Sequence, residues 1–109
     1  SDVYKRQRKH YPDMSVVHTV NNLALVVWAL LSHPDDFSAA IGDVVAAGLD
    51  TDCNGATVGA LWGLQDKTIP DFWSAPWGGN VGLSLAGTDT VNVAELIDRT
   101  VAVTVNLSE

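Results

Sequence analysis

Residues 48–63, GLDTDCNGATVGALWG, hold two aspartates one residue apart (Asp50, Asp52), the neighbouring Cys53, Asn54 and four glycines. Paired carboxylates supply hard oxygen donors, which suit Mg²⁺, Mn²⁺ or Ca²⁺ better than zinc. In an extended turn, side chains at 50 and 52 point roughly the same way, so they can share or bracket one or two cations. Two carboxylates are too few for a closed cage. The other ligands must be waters, substrate oxygens or side chains elsewhere. A plainer use is also open, because Asp50 and Asp52 could simply cap the helix that follows. Spacing alone does not separate the two.

Two other chemistries share part of this pattern. An EF-hand loop reads D-x-[DN]-x-[DN]-G with a bidentate Glu at its twelfth position. Residues 50–55 fit, but the twelfth residue is Leu61, which ligates nothing, and residues 56–63 are too apolar for a solvated loop. A phosphotransferase D-x-D-x-T motif needs a hydrophobic strand before it. Here AAIGDVVAAGL has helical periodicity instead.

The elements around the acidic turn read as helices. In residues 19–31, TVNNLALVVWALL, apolar Val20, Leu23, Val27 and Leu30/Leu31 recur at spacings of three and four, and Pro34 follows the last turn. Asp35 or Asp36 can cap a second helix over residues 36–47, with Phe37, Ala40/Ile41 and Val44/Val45 as its stripe. Gly48 is its stop signal. A third helix is expected over residues 53–64. Its Gly55, Gly59 and Gly63 stack on one face, so a neighbouring helix is expected to approach closely there. Glycine costs about 1 kcal/mol per site against alanine, which such an approach would offset. Residues 66–82 read as a loop whose Trp73 and Trp77 plug onto the core. A last helix starts near Asn92, and its β-branched tail could equally be a strand. The fold class is all-α.

Bulk composition narrows the partners. Thirteen acidic residues oppose six basic ones, for a net charge of −7 over 109 residues. Four of the six basic residues lie at Lys5, Arg6, Arg8 and Lys9, so the rest of the surface is acidic. That argues against a nucleic-acid groove and favours divalent cations. Cys53 is the single cysteine, which excludes an internal disulfide and agrees with a cytoplasmic location. The longest apolar run, Leu23–Leu31, has nine residues, against the roughly 20 a bilayer requires. No membrane partner is expected. The segment DVYKRQ within residues 1–7 matches the in-frame translation of a transposon end used to tag DNA for sequencing. Residues 1–7 are therefore expected to be non-native, with residues 8–109 the C-terminal part of a single domain.

The acidic turn resembles the C-terminal metal motif of the ADP-ribosylglycohydrolase family (dinitrogenase-reductase-activating glycohydrolase-like), G-x-D-x-D-[TS]-x-x-x-x-x-G-x-x-x-G. Upstream, VVHTVNNLALVVWAL with His18 and Thr19, and DFSAAIGDVVAAG, are similar to the family's preceding helices. Downstream, IPDFWSAPWGGNVGLSLAG and VNVAELIDRTVAV are similar to the tail of a bacterial subgroup. The resemblance covers nearly all of residues 14–103.

It implies the C-terminal part of an all-α orthogonal bundle with a binuclear Mg²⁺ or Mn²⁺ centre. Asp50 and Asp52 would be ligands and catalytic carboxylates. Cys53 stands where the family has Thr or Ser, so a soft thiol replaces a hard hydroxyl. The other ligands would come from an N-terminal Thr-Asp-Asp motif, which is not present in this sequence, so the chain is expected to be an incomplete and inactive fragment. The implied reaction is hydrolysis at the ribose anomeric carbon of an ADP-ribosylated protein or small ADP-ribosyl substrate. His18 and Asn22, or Asn21 in its place, would lie near the substrate; their plainer uses are structural, the asparagines as caps near the start of their helix. Trp73 and Trp77 could stack on adenine. The rival implication is a non-catalytic relative of the same shape, a ligand-binding or structural protein.

Overall fold

Helix α1, Thr19–Ser32, begins where His18 takes an extended backbone and its Nδ1 accepts the Val20 N–H at 3.2 Å. It ends at His33, which is held out of the helical region ahead of Pro34. The computed structural model describes residues 5–6, 9–10 and 12–107. Residues 1–4 and 7, most of the segment expected to be non-native, lie outside the described residues. The chain divides into two compact units, Ser1–Ile69 and Pro70–Glu109.

In the first unit, Asp36 caps α2, Phe37–Ala46, through Oδ1, which accepts the Ala39 N–H at 2.9 Å. Helix α3 spans Thr51–Gly63. It starts two residues earlier than the sequence suggests, so Asp52 and Cys53 lie in its first turn rather than in an extended stretch. The three helices pack on one another. Their core is Leu25, Val26, Ala29, Phe37, Ala40, Val44, Ala47, Val58 and Trp62. Lys67 closes the far end: its Nζ lies 5.0 Å from the Trp62 ring centre and donates to the Pro34 carbonyl oxygen.

The expected glycine seam is not how α3 packs. Its buried face is Asn54, Val58 and Trp62, one residue ahead of each glycine. A Cβ on Gly55 would meet a Val45 methyl at an ordinary 3.5 Å, and one on Gly59 or Gly63 would meet nothing within 4 Å. Helix α1 also keeps an apolar outer face in the open, with Val20, Leu23, Val27 and Leu31 exposed.

The second unit departs from the all-α expectation locally, although the chain as a whole is mostly helical. Two 3₁₀ turns, Asp71–Trp73 and Ala75–Trp77, precede an antiparallel hairpin of β1, Asn80–Leu85, and β2, Thr88–Asn92. Asn80 pairs with Asn92 and Val81 with Val91, with an irregularity between Gly82 and Leu85. Gly87, at φ 78°, supplies the left-handed residue of the connection. Asn92 then caps α4, Val93–Asn106, its Oδ1 accepting the N–H groups of Ala94 and Glu95. Trp77 is 57 % exposed. No described residue of this unit is buried, so Trp77 fills no core within it. Among the described residues no helix is long and apolar enough to cross a membrane.

Candidate metal centre

The turn from α2 to α3 uses two successive left-handed residues, Gly48 at φ 86° and Leu49 at φ 65°. Glycine adopts this conformation freely; leucine does so at a cost of about 1 kcal/mol. Asp50 follows as the N-cap residue of α3, yet its carboxylate makes no capping hydrogen bond. Asp52 and Cys53 come next. Side-chain donor atoms of Asp50, Asp52 and Cys53 all lie within 4.8 Å of one another, with Asp50 half-buried and the other two exposed.

The charges in this cluster perturb one another. The Asp50 carboxyl, hydrogen-bonded to Asp52, holds the Asp52 carboxyl below the usual carboxylate range, helped by the backbone N–H groups of Asp52 and Cys53. A hydrogen bond to Asp50, and then the negative charges of Asp50 and Asp52, push the Cys53 thiol above its ordinary value, because they favour the thiol over the thiolate. The cluster therefore offers side-chain oxygens and, at neutral pH, a protonated thiol. The two oxygens fit a hard divalent cation; the thiol does not. The positive end of the α3 dipole further favours negative charge here.

A polar lock under the turn sets its position. Asn22, on α1, is 8 % exposed, and Asn54, on the buried face of α3, is 2 % exposed. Asn22 Oδ1 accepts the Asp50 N–H at 3.1 Å and the Asn54 Nδ2–H at 2.7 Å. Asn22 Nδ2 donates to the carbonyls of Val16 and His18 at 2.8 and 2.9 Å. Asn21 Nδ2 likewise donates to the Ser15 carbonyl. Buried amides demand such partners, and here they are met within the chain.

The structure thus brings Asp50, Asp52 and Cys53 together. Asn22 lies directly beneath them as a structural anchor rather than as a cap. His18 is exposed, and its Nδ1 serves as the cap of α1. Asn54 is missing from the set read from the sequence. The signal was available: Asn54, Val58 and Trp62 share the i, i+4, i+8 register, and a polar residue on such a buried stripe requires a buried partner.

Fold and site together define a mostly helical protein whose helix start presents a carboxylate pair suited to a hard cation. The family model for ADP-ribosylglycohydrolase matches residues 3–105. The chain belongs to the ADP-ribosylglycohydrolase family, which is a family of hydrolases. The match begins inside the N-terminal segment that the sequence reading set aside. No curated protein and no solved structure matches the chain.

Proposed function

We propose that this chain supplies the Asp50–Asp52 side of a divalent-cation centre, Mg²⁺ or Mn²⁺, in a hydrolase that removes ADP-ribose from a modified side chain or a related ADP-ribosyl substrate. The observation that carries this reading is the convergence of the Asp50, Asp52 and Cys53 donor atoms within 4.8 Å, in a chain of this family. The remaining ligands of a binuclear centre would come from water, substrate and residues outside this chain. A bound cation contributes positive charge, which an acidic protein needs to hold a sugar diphosphate.

The residues of the chain have separable parts. Asp50 and Asp52 hold the cation and are the carboxylates assigned to take a proton from the attacking water. The water oxygen forms a bond to the anomeric carbon, and the bond from that carbon to the acceptor nitrogen or oxygen breaks. The leaving atom keeps the bonding pair and gains a proton. Asn22 and Asn54 keep the carboxylates in place.

The test uses full-length protein, Mn²⁺ and an ADP-ribosylated acceptor, with released ADP-ribose as the readout. Asp50→Asn should abolish release; survival of activity in that variant removes Asp50 from the site. Cys53 favours a second reading, a non-catalytic ligand-binding or structural relative, because a protonated thiol withdraws one hard donor. Mn²⁺ binding without any release of ADP-ribose would support it.

A further inference from the structure

We infer that Asn22 is a positioning residue for the cation site, acting through the backbone of Asp50; this rests on the metal-site reading of Asp50 and Asp52. The Asp50 carboxylate makes no capping bond that would orient it. Its direction is set by its hydrogen bonding to Asp52 and Cys53 together with its own backbone, which leaves a turn containing left-handed Leu49. One oxygen holds that backbone directly at its N–H and, by way of Asn54, indirectly at its carbonyl. Asn22 Oδ1 accepts the Asp50 N–H directly at 3.1 Å. The Asp50 carbonyl accepts the Asn54 N–H at 2.9 Å, and Asn54 in turn donates its side-chain amide to Asn22 Oδ1 at 2.7 Å.

Residue chemistry at position 22 is restrictive. One side must accept two N–H groups, and the other must donate to the Val16 and His18 carbonyls. Only a carboxamide offers an acceptor with two lone pairs and two donors at once. Its neutrality matters too, since a third negative charge beneath Asp50 and Asp52 would oppose their ionised forms. Partners behind a metal ligand tune affinity by about 10- to 100-fold, and Asn22 stands in that relation to Asp50.

The experiment measures Mn²⁺ affinity of the full-length protein by electron paramagnetic resonance, with amide hydrogen exchange at Asp50. Asn22→Ala should weaken Mn²⁺ binding by about 10- to 100-fold and remove protection of the Asp50 N–H. Asn22→Ser, a milder truncation that leaves a small neutral polar side chain in place, should weaken Mn²⁺ binding and Asp50 protection in the same direction; it serves if Asn22→Ala fails to fold, and unchanged Mn²⁺ affinity in it would equally overturn the inference. In an Asp50→Asn background, Asn22→Ala should cause little further loss of affinity. Equal Mn²⁺ affinity in wild type and Asn22→Ala would overturn the inference while leaving the metal reading intact. Equal additional loss in the Asp50→Asn background would also overturn it, since Asn22 would then act independently of Asp50. Absence of Mn²⁺ binding in the wild type would instead overturn the metal reading, and this inference with it.

Discussion

The rings of Phe37 and Trp62 meet edge to face, with centroids 5.6 Å apart and planes inclined by 70°. This contact joins the first residue of α2 to the last turn of α3, and so holds the two ends of the acidic turn's scaffold. Trp62 also donates its Nε1–H to the Thr68 carbonyl at 3.3 Å. Removing the ring leaves a large cavity beside Phe37 and orphans that carbonyl. Trp62→Ala should destabilise the Ser1–Ile69 unit by about 3–5 kcal/mol, read from denaturant unfolding. A loss under about 1 kcal/mol would mean that the Phe37–Trp62 contact does not carry the packing assigned to it.

Gly59 and Gly63 carry the opposite expectation. A side chain at either position meets nothing within 4 Å, so alanine there gains helix propensity without a clash. Gly59→Ala should stabilise the chain by up to about 1 kcal/mol, measured by the same unfolding curves. Marked destabilisation would show that this face is covered by something that requires the missing Cβ.

Much of the helical layout was legible because burial imposes a period. Phe37, Ala40 and Val44 recur at three and four, and α2 buries those residues. The starts were legible to within a residue, at Asp36, one of two neighbouring candidate caps, and near Asn92. The hairpin was not. Asn80–Leu85 contains Gly82, and both strands are largely exposed, so no alternation of buried apolar residues marks them. The glycines of α3 misled for a related reason: their four-residue spacing marks one face, but the face one residue ahead carries the larger side chains and is the one that packs. At the site, Asp50 and Asp52 stand out by spacing, whereas the lock between Asn22 and Asn54 joins residues 32 positions apart. Such a pair leaves no local pattern.

The electrostatics of the cluster predict the reactivity of Cys53. Asp50 and Asp52 raise its thiol above the ordinary value. At any pH below that raised value the thiolate fraction is smaller than for a free cysteine, so alkylation is slower although the residue is exposed. In metal-free protein, iodoacetamide should modify Cys53 more slowly than a free thiol at pH 8, with the rate midpoint displaced to higher pH. Asp50→Asn removes the largest cause and should move the midpoint back down. A midpoint that does not respond to Asp50→Asn would separate Cys53 from the carboxylate pair.

The same thiol should set which cation the turn prefers. Its donor atom lies within 4.8 Å of both carboxylates, so a cation between Asp50 and Asp52 is within reach of sulfur. Sulfur is a good ligand for a soft ion and a poor one for Mg²⁺, whereas a hydroxyl is the reverse. Cadmium can also displace the thiol proton that the carboxylates otherwise hold in place. Cys53→Thr should therefore weaken Cd²⁺ binding and strengthen Mg²⁺ binding, shifting the ratio of the two affinities by about tenfold or more, on the scale by which single ligand changes alter metal affinity. Calorimetric titration of full-length wild type and variant with each ion measures this directly. An unchanged ratio would mean that position 53 does not face the cation, and that Asp50 and Asp52 ligate without it.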